Sequence, residues 1–198
     1  MAELAEGMGS GPTTARSWVE RWPAEDLPHG RAGAGVVIVL RQGTREPEVL
    51  LIERTVRRSD PASGQVALPG GRADDGDPSL RATALRELAE EVGLGPADLE
   101  PPTRFVGVQR ANVFGLDVAV FAATLAPKPG PLVPSPSEVA HVFWLPLSAL
   151  DRPEEVERET SRGTITVPAA VHQGHVLWGF TFRVLREFFG RTTPAGRA

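Results

Sequence analysis

The sequence predicts an α+β sandwich. Three observations carry that expectation. Two apolar runs near the start look like buried strands, one well-delimited helix follows them, and further strand patterns lead into a closing helix. Strands on both sides of a single central helix, with another helix at the end, bury their apolar faces best as helices packed on a sheet.

The elements follow in order. Gly35-Val-Val-Ile-Val-Leu40 is a continuous apolar run, the pattern of a central strand covered on both faces. Arg41 to Pro47 turns the chain into Glu48-Val-Leu-Leu-Ile-Glu53, the next strand. Arg54 to Ser63 is a basic loop, and Gln65-Val-Ala-Leu68 a short strand that feeds a glycine turn at Gly70 and Gly71. In the helix that comes next, Leu80, Ala84, Leu85, Leu88 and Val92 form the apolar stripe. Asp77 is placed to cap it, with Pro78 at the first helical position and Gly93 at the stop.

Beyond that helix, Arg104 to Val108 and Leu116 to Leu125 alternate as strands. The loop between them holds Arg110, Asn112 and Gly115. Lys128 to Pro136 is a Pro-rich loop of the kind that borders sites. Val139 to Leu145 is a strand and Pro146 to Leu150 a short helix. Thr164 to Val167 and His175 to Trp178 make a hairpin around Gln173-Gly174, and a helix closes the chain from about Gly179 to Phe189. Residues 1–15 are expected to be disordered, 16–190 to form a single domain and 191–198 a flexible tail. Trp18 and Trp22, four apart, pack the N-terminal arm on the domain, an arrangement that leaves room for a homodimer without requiring one.

Composition narrows the function. At 198 residues, with 41% apolar and 23% charged residues, one ordinary globular domain is expected. A net charge of −4 speaks against nucleic-acid binding through a basic surface. The absence of cysteine removes disulfides and thiol catalysis, and fits the cytoplasm. No apolar run approaches the length of a membrane span, and no secretory signal is expected.

The chemistry concentrates on the central helix. Glu87, Glu90 and Glu91 stand at i, i+3 and i+4, so their carboxylates are neighbours. Such like-charge neighbours cost a helix about 0.2–0.5 kcal/mol per pair, a cost that a shared cation reverses. Hard oxygen donors without nearby Cys or His point to Mg²⁺ or Mn²⁺.

The string from Leu68-Pro69-Gly70-Gly71 to Arg86-Glu87-Leu88-Ala89-Glu90-Glu91-Val92-Gly93-Leu94 resembles the Nudix box. Its second half matches at every defined position. In its first half Asp77 stands where Glu is usual, and eight residues rather than seven separate it from Arg86. The resemblance implies a Nudix-type α/β/α sandwich with a mixed central sheet, and divalent-metal-dependent hydrolysis of a diphosphate in a small-molecule nucleotide substrate. It also implies that Glu87, Glu90 and Glu91 hold the metal, with a backbone carbonyl at Gly70 as a further ligand. Arg86 is then an orienter paired with a box carboxylate. Glu138, beside the Pro-rich loop, is a candidate for the base that deprotonates water.

The approach to the box is more selective. Leu51-Ile-Glu-Arg54-Thr55, then Arg57, Arg58 and Gly64-Gln-Val-Ala-Leu-Pro-Gly-Gly71, resembles the segment that precedes the box in coenzyme A pyrophosphatases, with Leu68 in place of Phe. Val176-Leu-Trp-Gly-Phe-Thr181 is similar to a Trp-Gly segment of the same proteins. The implied substrate is coenzyme A or a derivative, with Arg54, Arg57, Arg58 and Arg72 as its contacts. ADP-ribose, dinucleotides or oxidised nucleotides are the alternatives, and a ligand-binding module without catalysis a third. Trp178 and Phe180 are expected in the core, and His141, His172 and His175 are expected to be structural.

Overall fold

In a computed structural model, residues 12–28, 30, 32–57, 63–111, 115–160 and 163–190 are described. Ten strands and three helices organise them: α1 (Ala15–Glu20), β1 (Ala34–Gln42), β2 (Pro47–Arg54), β3 (Val66–Ala67), β4 (Gly70–Arg72), α2 (Leu80–Val92), β5 (Leu99–Ala111), β6 (Leu116–Leu125), β7 (Val139–Pro146), β8 (Glu154–Thr160), β9 (Gly163–His172), β10 (His175–Trp178) and α3 (Gly179–Phe188). Short 3-10 turns follow α2 at Pro96–Asp98 and β7 at Leu147–Leu150.

The central sheet is mixed. Its strands run in the order β3-β2-β1-β6-β5, with β4 added to β1 and β7 to β2. β1 pairs parallel with β6 and antiparallel with β2 and β4. The continuous apolar run of β1 has the predicted consequence. Val37 and Val39 pack on one face of the sheet with Leu80, Ala84, Leu88 and Val92 of α2. Ile38 and Leu40 pack on the other face with α1 and α3. Alternate residues of one strand thus serve two cores, the α/β/α arrangement expected.

Three features depart from the sequence reading. Gly70 and Gly71 are not a turn but part of β4, paired with Val36 and Gly35. β8, all but Val156 polar or charged, was not foreseen; it exists because β9 pairs with it from Glu154 to Thr160. It joins β9 and β10 in a separate three-stranded sheet. Asp77 does not cap α2. Ser79 is the N-cap, its hydroxyl accepting the Ala82 N–H at 3.2 Å. The Asp77 carboxylate is committed elsewhere, as described below. Gly93 stops the helix as expected, in the left-handed region at φ 79°.

The N-terminal arm is anchored inward. Thr14 caps α1, and Trp18 packs edge-on to Phe189 at 4.9 Å, while Trp22 stacks on Phe188 at 5.8 Å. The Trp18 and Trp22 rings therefore serve this chain's own core.

Candidate active site

The box helix carries its acids at graded depth. Glu91 is 2% exposed, Glu87 17% and Glu90 54%. The gradient arises because Glu91 lies toward the buried stripe while Glu90 lies away from it. The backbone N–H of Gly70 donates to Glu91 Oε2 at 2.9 Å, and Arg54 from the end of β2 approaches Oε1 at 3.8 Å. Burial pushes the Glu91 carboxyl up to about 8, against the opposing pull of the Gly70 hydrogen bond, and the neighbouring Glu87 and Glu138 raise it further. Glu87 is also raised, chiefly by burial.

β4 must approach this helix closely. A Cβ on Gly71 would lie 2.4–2.7 Å from the Glu87 carboxyl group. One on Gly70 would meet the Gly35 carbonyl at 2.3 Å, at a φ of 144° that disfavours any side chain.

Arg86 organises the polar edge. Its Nε and Nη2 donate to both oxygens of Asp77, at 2.9 and 3.0 Å, the paired geometry in which guanidinium binds carboxylate most strongly. Nη1 lies 2.9 Å from both Glu87 and Glu90, and Nη2 reaches the Arg72 carbonyl at 3.2 Å. Asp77 also accepts the Thr83 hydroxyl at 2.9 Å and the Asp74 N–H at 3.1 Å. The Arg86 guanidinium holds the Asp77 carboxyl well below the usual carboxylate range. Both departures from the Nudix pattern, the shorter acid and the extra residue, thus meet in one contact: the longer loop returns the shorter side chain to Arg86.

Glu138 arrives from a distant part of the chain. The loop before β7 docks on the end of α2, where the N–H groups of Val133 and Ser135 donate to the carbonyls of Val92 and Glu91, at 2.8 and 2.9 Å. These bonds satisfy helix-terminal carbonyls that would otherwise lack partners. The Glu138 carbonyl accepts the Thr55 N–H at 2.9 Å, and the Arg57 guanidinium donates to the Ser137 carbonyl. Arg57, expected at the substrate, is therefore engaged in bracing this loop. Arg58 lies outside the described residues, as does Asn112.

Beside β4 opens a cleft of about 410 Å³. Arg54, Gln65, Leu68, Gly70, Gly71 and Arg72 line it together with Leu116 and Val118 of β6. Trp178, Phe180 and Thr181 line it as well; the two aromatic residues expected in the core are both half-buried at the cleft wall, and Phe180 also packs against the core. Sequence reasoning also missed the contact of His175 Nδ1 with Glu53 Oε2 at 2.7 Å, where the His175 ring stacks on Phe143 at 4.1 Å and ties the small sheet to the large one. No local signal announced it, since 122 residues separate the pair.

The donor set suits a hard divalent cation: carboxylates at Glu87, Glu90 and Glu91, and a backbone carbonyl at Gly70. Glu91, deeply buried beside a second acid, favours its proton unless positive charge is supplied, which fits a cation. Among the described residues no three acidic or histidine side chains are already arranged around one ion position. Arg86 holds Glu87 and Glu90 instead.

A family model, the NUDIX domain, matches residues 30–165. The chain belongs to the Nudix family. It is 33% identical over 172 residues to the uncharacterized Nudix hydrolase NudL of Escherichia fergusonii, a match covering 82% of this chain and 83% of that protein. NudL of Shigella boydii serotype 4 matches to the same extent. Among solved structures, a MutT/nudix family protein from Enterococcus faecalis aligns with a TM-score of 0.52 at 18% identity, over 88% of this chain and 66% of that one. A Deinococcus radiodurans protein aligns with a TM-score of 0.51 at 13% identity, over 85% of each chain. These two likenesses concern the fold alone. The chain is thus a Nudix hydrolase, of a family that acts on nucleoside diphosphate derivatives and generally uses divalent metal ions. Among the described residues no helix is long and apolar enough to cross a membrane.

Proposed function

We propose that this Nudix hydrolase cleaves the diphosphate of coenzyme A or its derivatives, giving adenosine 3′,5′-bisphosphate and 4′-phosphopantetheine. One observation carries the reading. The two segments that resemble coenzyme A pyrophosphatases, Leu51–Gly71 and Val176–Thr181, lie more than 100 residues apart in the chain, yet both line the cleft beside Gly70. Arg54 and Arg72 are its charged residues, suited to phosphate, and Trp178, Phe180, Leu116 and Val118 offer apolar surface to a base or a pantetheine chain.

In this reading Glu87, Glu90 and Glu91, with the Gly70 carbonyl, hold Mg²⁺ or Mn²⁺. The ion neutralises phosphate charge and lowers the pKa of water when bound. Arg86, anchored on Asp77, orients Glu87 and Glu90. Glu138, whose charge acts on both Glu87 and Glu91, takes the proton from the attacking water. The water oxygen joins one phosphorus, and the bridging oxygen leaves with the other phosphate.

The test is phosphate release coupled to alkaline phosphatase, with coenzyme A, ADP-ribose, dinucleotides and oxidised nucleoside triphosphates offered side by side. Coenzyme A is expected to have the highest kcat/KM. No cleavage of coenzyme A at millimolar concentration overturns the proposal.

A further inference from the structure

Part of the cleft wall is the start of a helix. α3 runs for ten residues from Gly179, and its N-cap, Trp178, makes no side-chain capping bond. The first N–H groups of a helix, here on Gly179, Phe180 and Thr181, have no intrahelical acceptors. Phe180 and Thr181 line the cleft, so this end of the helix opens onto it.

A second observation is independent of the helix end. Thr181 is only 6% exposed, and its hydroxyl has no hydrogen-bond partner among the described residues. Nor is that oxygen sealed in the core, for it is not among the fully buried unpartnered polar atoms. The hydroxyl of a nine-tenths buried threonine, without a protein partner and in the wall of a cleft, is open to a group that enters the cleft. The surrounding charge selects the sign. Arg54 and Arg72 line the cleft and no carboxylate side chain does, although the box acids lie just behind Gly70 and Gly71. Orphan N–H groups, the positive end of the helix dipole and a free hydroxyl together favour an anion.

We propose that the start of α3, with the Thr181 hydroxyl, is an anion subsite for a phosphate monoester of the substrate, distinct from the diphosphate that is cleaved. This rests on the coenzyme A reading, in which that group is the 3′-phosphate of the nucleotide. The Trp178 and Phe180 rings beside it offer apolar surface to the attached base. Arg57, expected among the substrate contacts, is engaged by the Ser137 carbonyl.

The experiment compares coenzyme A with dephospho-coenzyme A, which lacks the 3′-phosphate, in the wild type, Thr181→Val and Thr181→Ser. The wild type is expected to prefer coenzyme A in kcat/KM. Thr181→Val should lower that preference by about tenfold or more, the effect of losing a hydrogen bond to a charged group, and Thr181→Ser should keep it. A preference that is the same in all three proteins overturns the subsite while leaving the diphosphatase reading intact. A second arm does not depend on turnover: adenosine 3′,5′-bisphosphate and AMP are titrated into the wild type by calorimetry. Tighter binding of the bisphosphate supports the subsite even if coenzyme A is not cleaved, in which case only the substrate assignment fails. Equal affinities overturn the subsite, and this arm decides it if Thr181→Val does not fold.

Discussion

Glu91 accepts the backbone N–H of Gly70 at 2.9 Å while almost wholly buried, so the box helix and the glycine strand meet at the deepest acid of the site. The contact binds an oxygen-rich helix face to a backbone that carries no side chain to block it. Glu91→Gln keeps the shape and an acceptor for Gly70, and removes the buried charge. It is expected to fold with unchanged or slightly raised thermal stability in EDTA and to lose at least about 100-fold in kcat/KM, no less than the loss typical of a group that merely supports a metal ligand. Unchanged turnover would remove Glu91 from the mechanism.

The same burial gives a pH dependence. The Glu91 carboxyl rises from 4.5 to about 8 on folding, so between those values the folded state binds more protons than the unfolded one. Its contribution to stability is fully present below about 4.5 and is lost as pH rises toward 8. The slope is at most about 1.4 kcal/mol per pH unit. Denaturant midpoints of metal-free protein from pH 5 to 8 should fall for the wild type and stay flatter for Glu91→Gln, and parallel profiles would refute this. Asp77 acts in the opposite sense: its contribution is present above about 3.8 and is lost as pH falls through its depressed value.

Asp77 grips Arg86 through both oxygens, and Arg86 holds Glu87 and Glu90 in turn. Asp77→Asn removes the charge that faces Arg86 Nε and Nη2, while Glu87 and Glu90 remain at Nη1, and is expected to cost about 1.5–3 kcal/mol. If the contact positions the acids, kcat falls more than KM rises. A stability loss with kcat preserved would make it purely structural.

Glu138 is assigned the proton of the attacking water. Glu138→Gln should lower kcat by about 10²–10⁴-fold with metal affinity largely retained, the usual worth of a placed base. A metal-binding defect as large as the kcat defect would make Glu138 a ligand instead.

Gly71→Ala places a methyl group where the Glu87 carboxyl group stands. The variant is expected to lose activity by displacing Glu87, with the metal dependence of the residual rate shifted to higher concentration. Wild-type activity would show that β4 yields there.

What could be read from the chain was local. The α2 stripe, its glycine stop and the spacing of Glu87, Glu90 and Glu91 follow from helical periodicity, and the double burial of β1 follows from an unbroken apolar run. The cap was misread because Asp77 has the right chemistry for two tasks, and only the position of Arg86 shows which one it performs. β8 was missed because six of its seven residues carry polar or charged side chains, and a strand of that kind forms only when a neighbour pairs with it.

By itself, then, the sequence determined the box helix, the apolar strands and the family pattern, because each is written in neighbouring residues of a turn or a strand, and the order of those elements implied the sandwich. The tertiary structure decided the rest. It set the depth of Glu91 by packing α2 against β4, and it brought Glu138 to the box by docking a loop on helix carbonyls that needed donors. It also turned Trp178, Phe180 and Thr181 into the cleft, which periodicity cannot predict because that wall is made by the meeting of two sheets and a helix end.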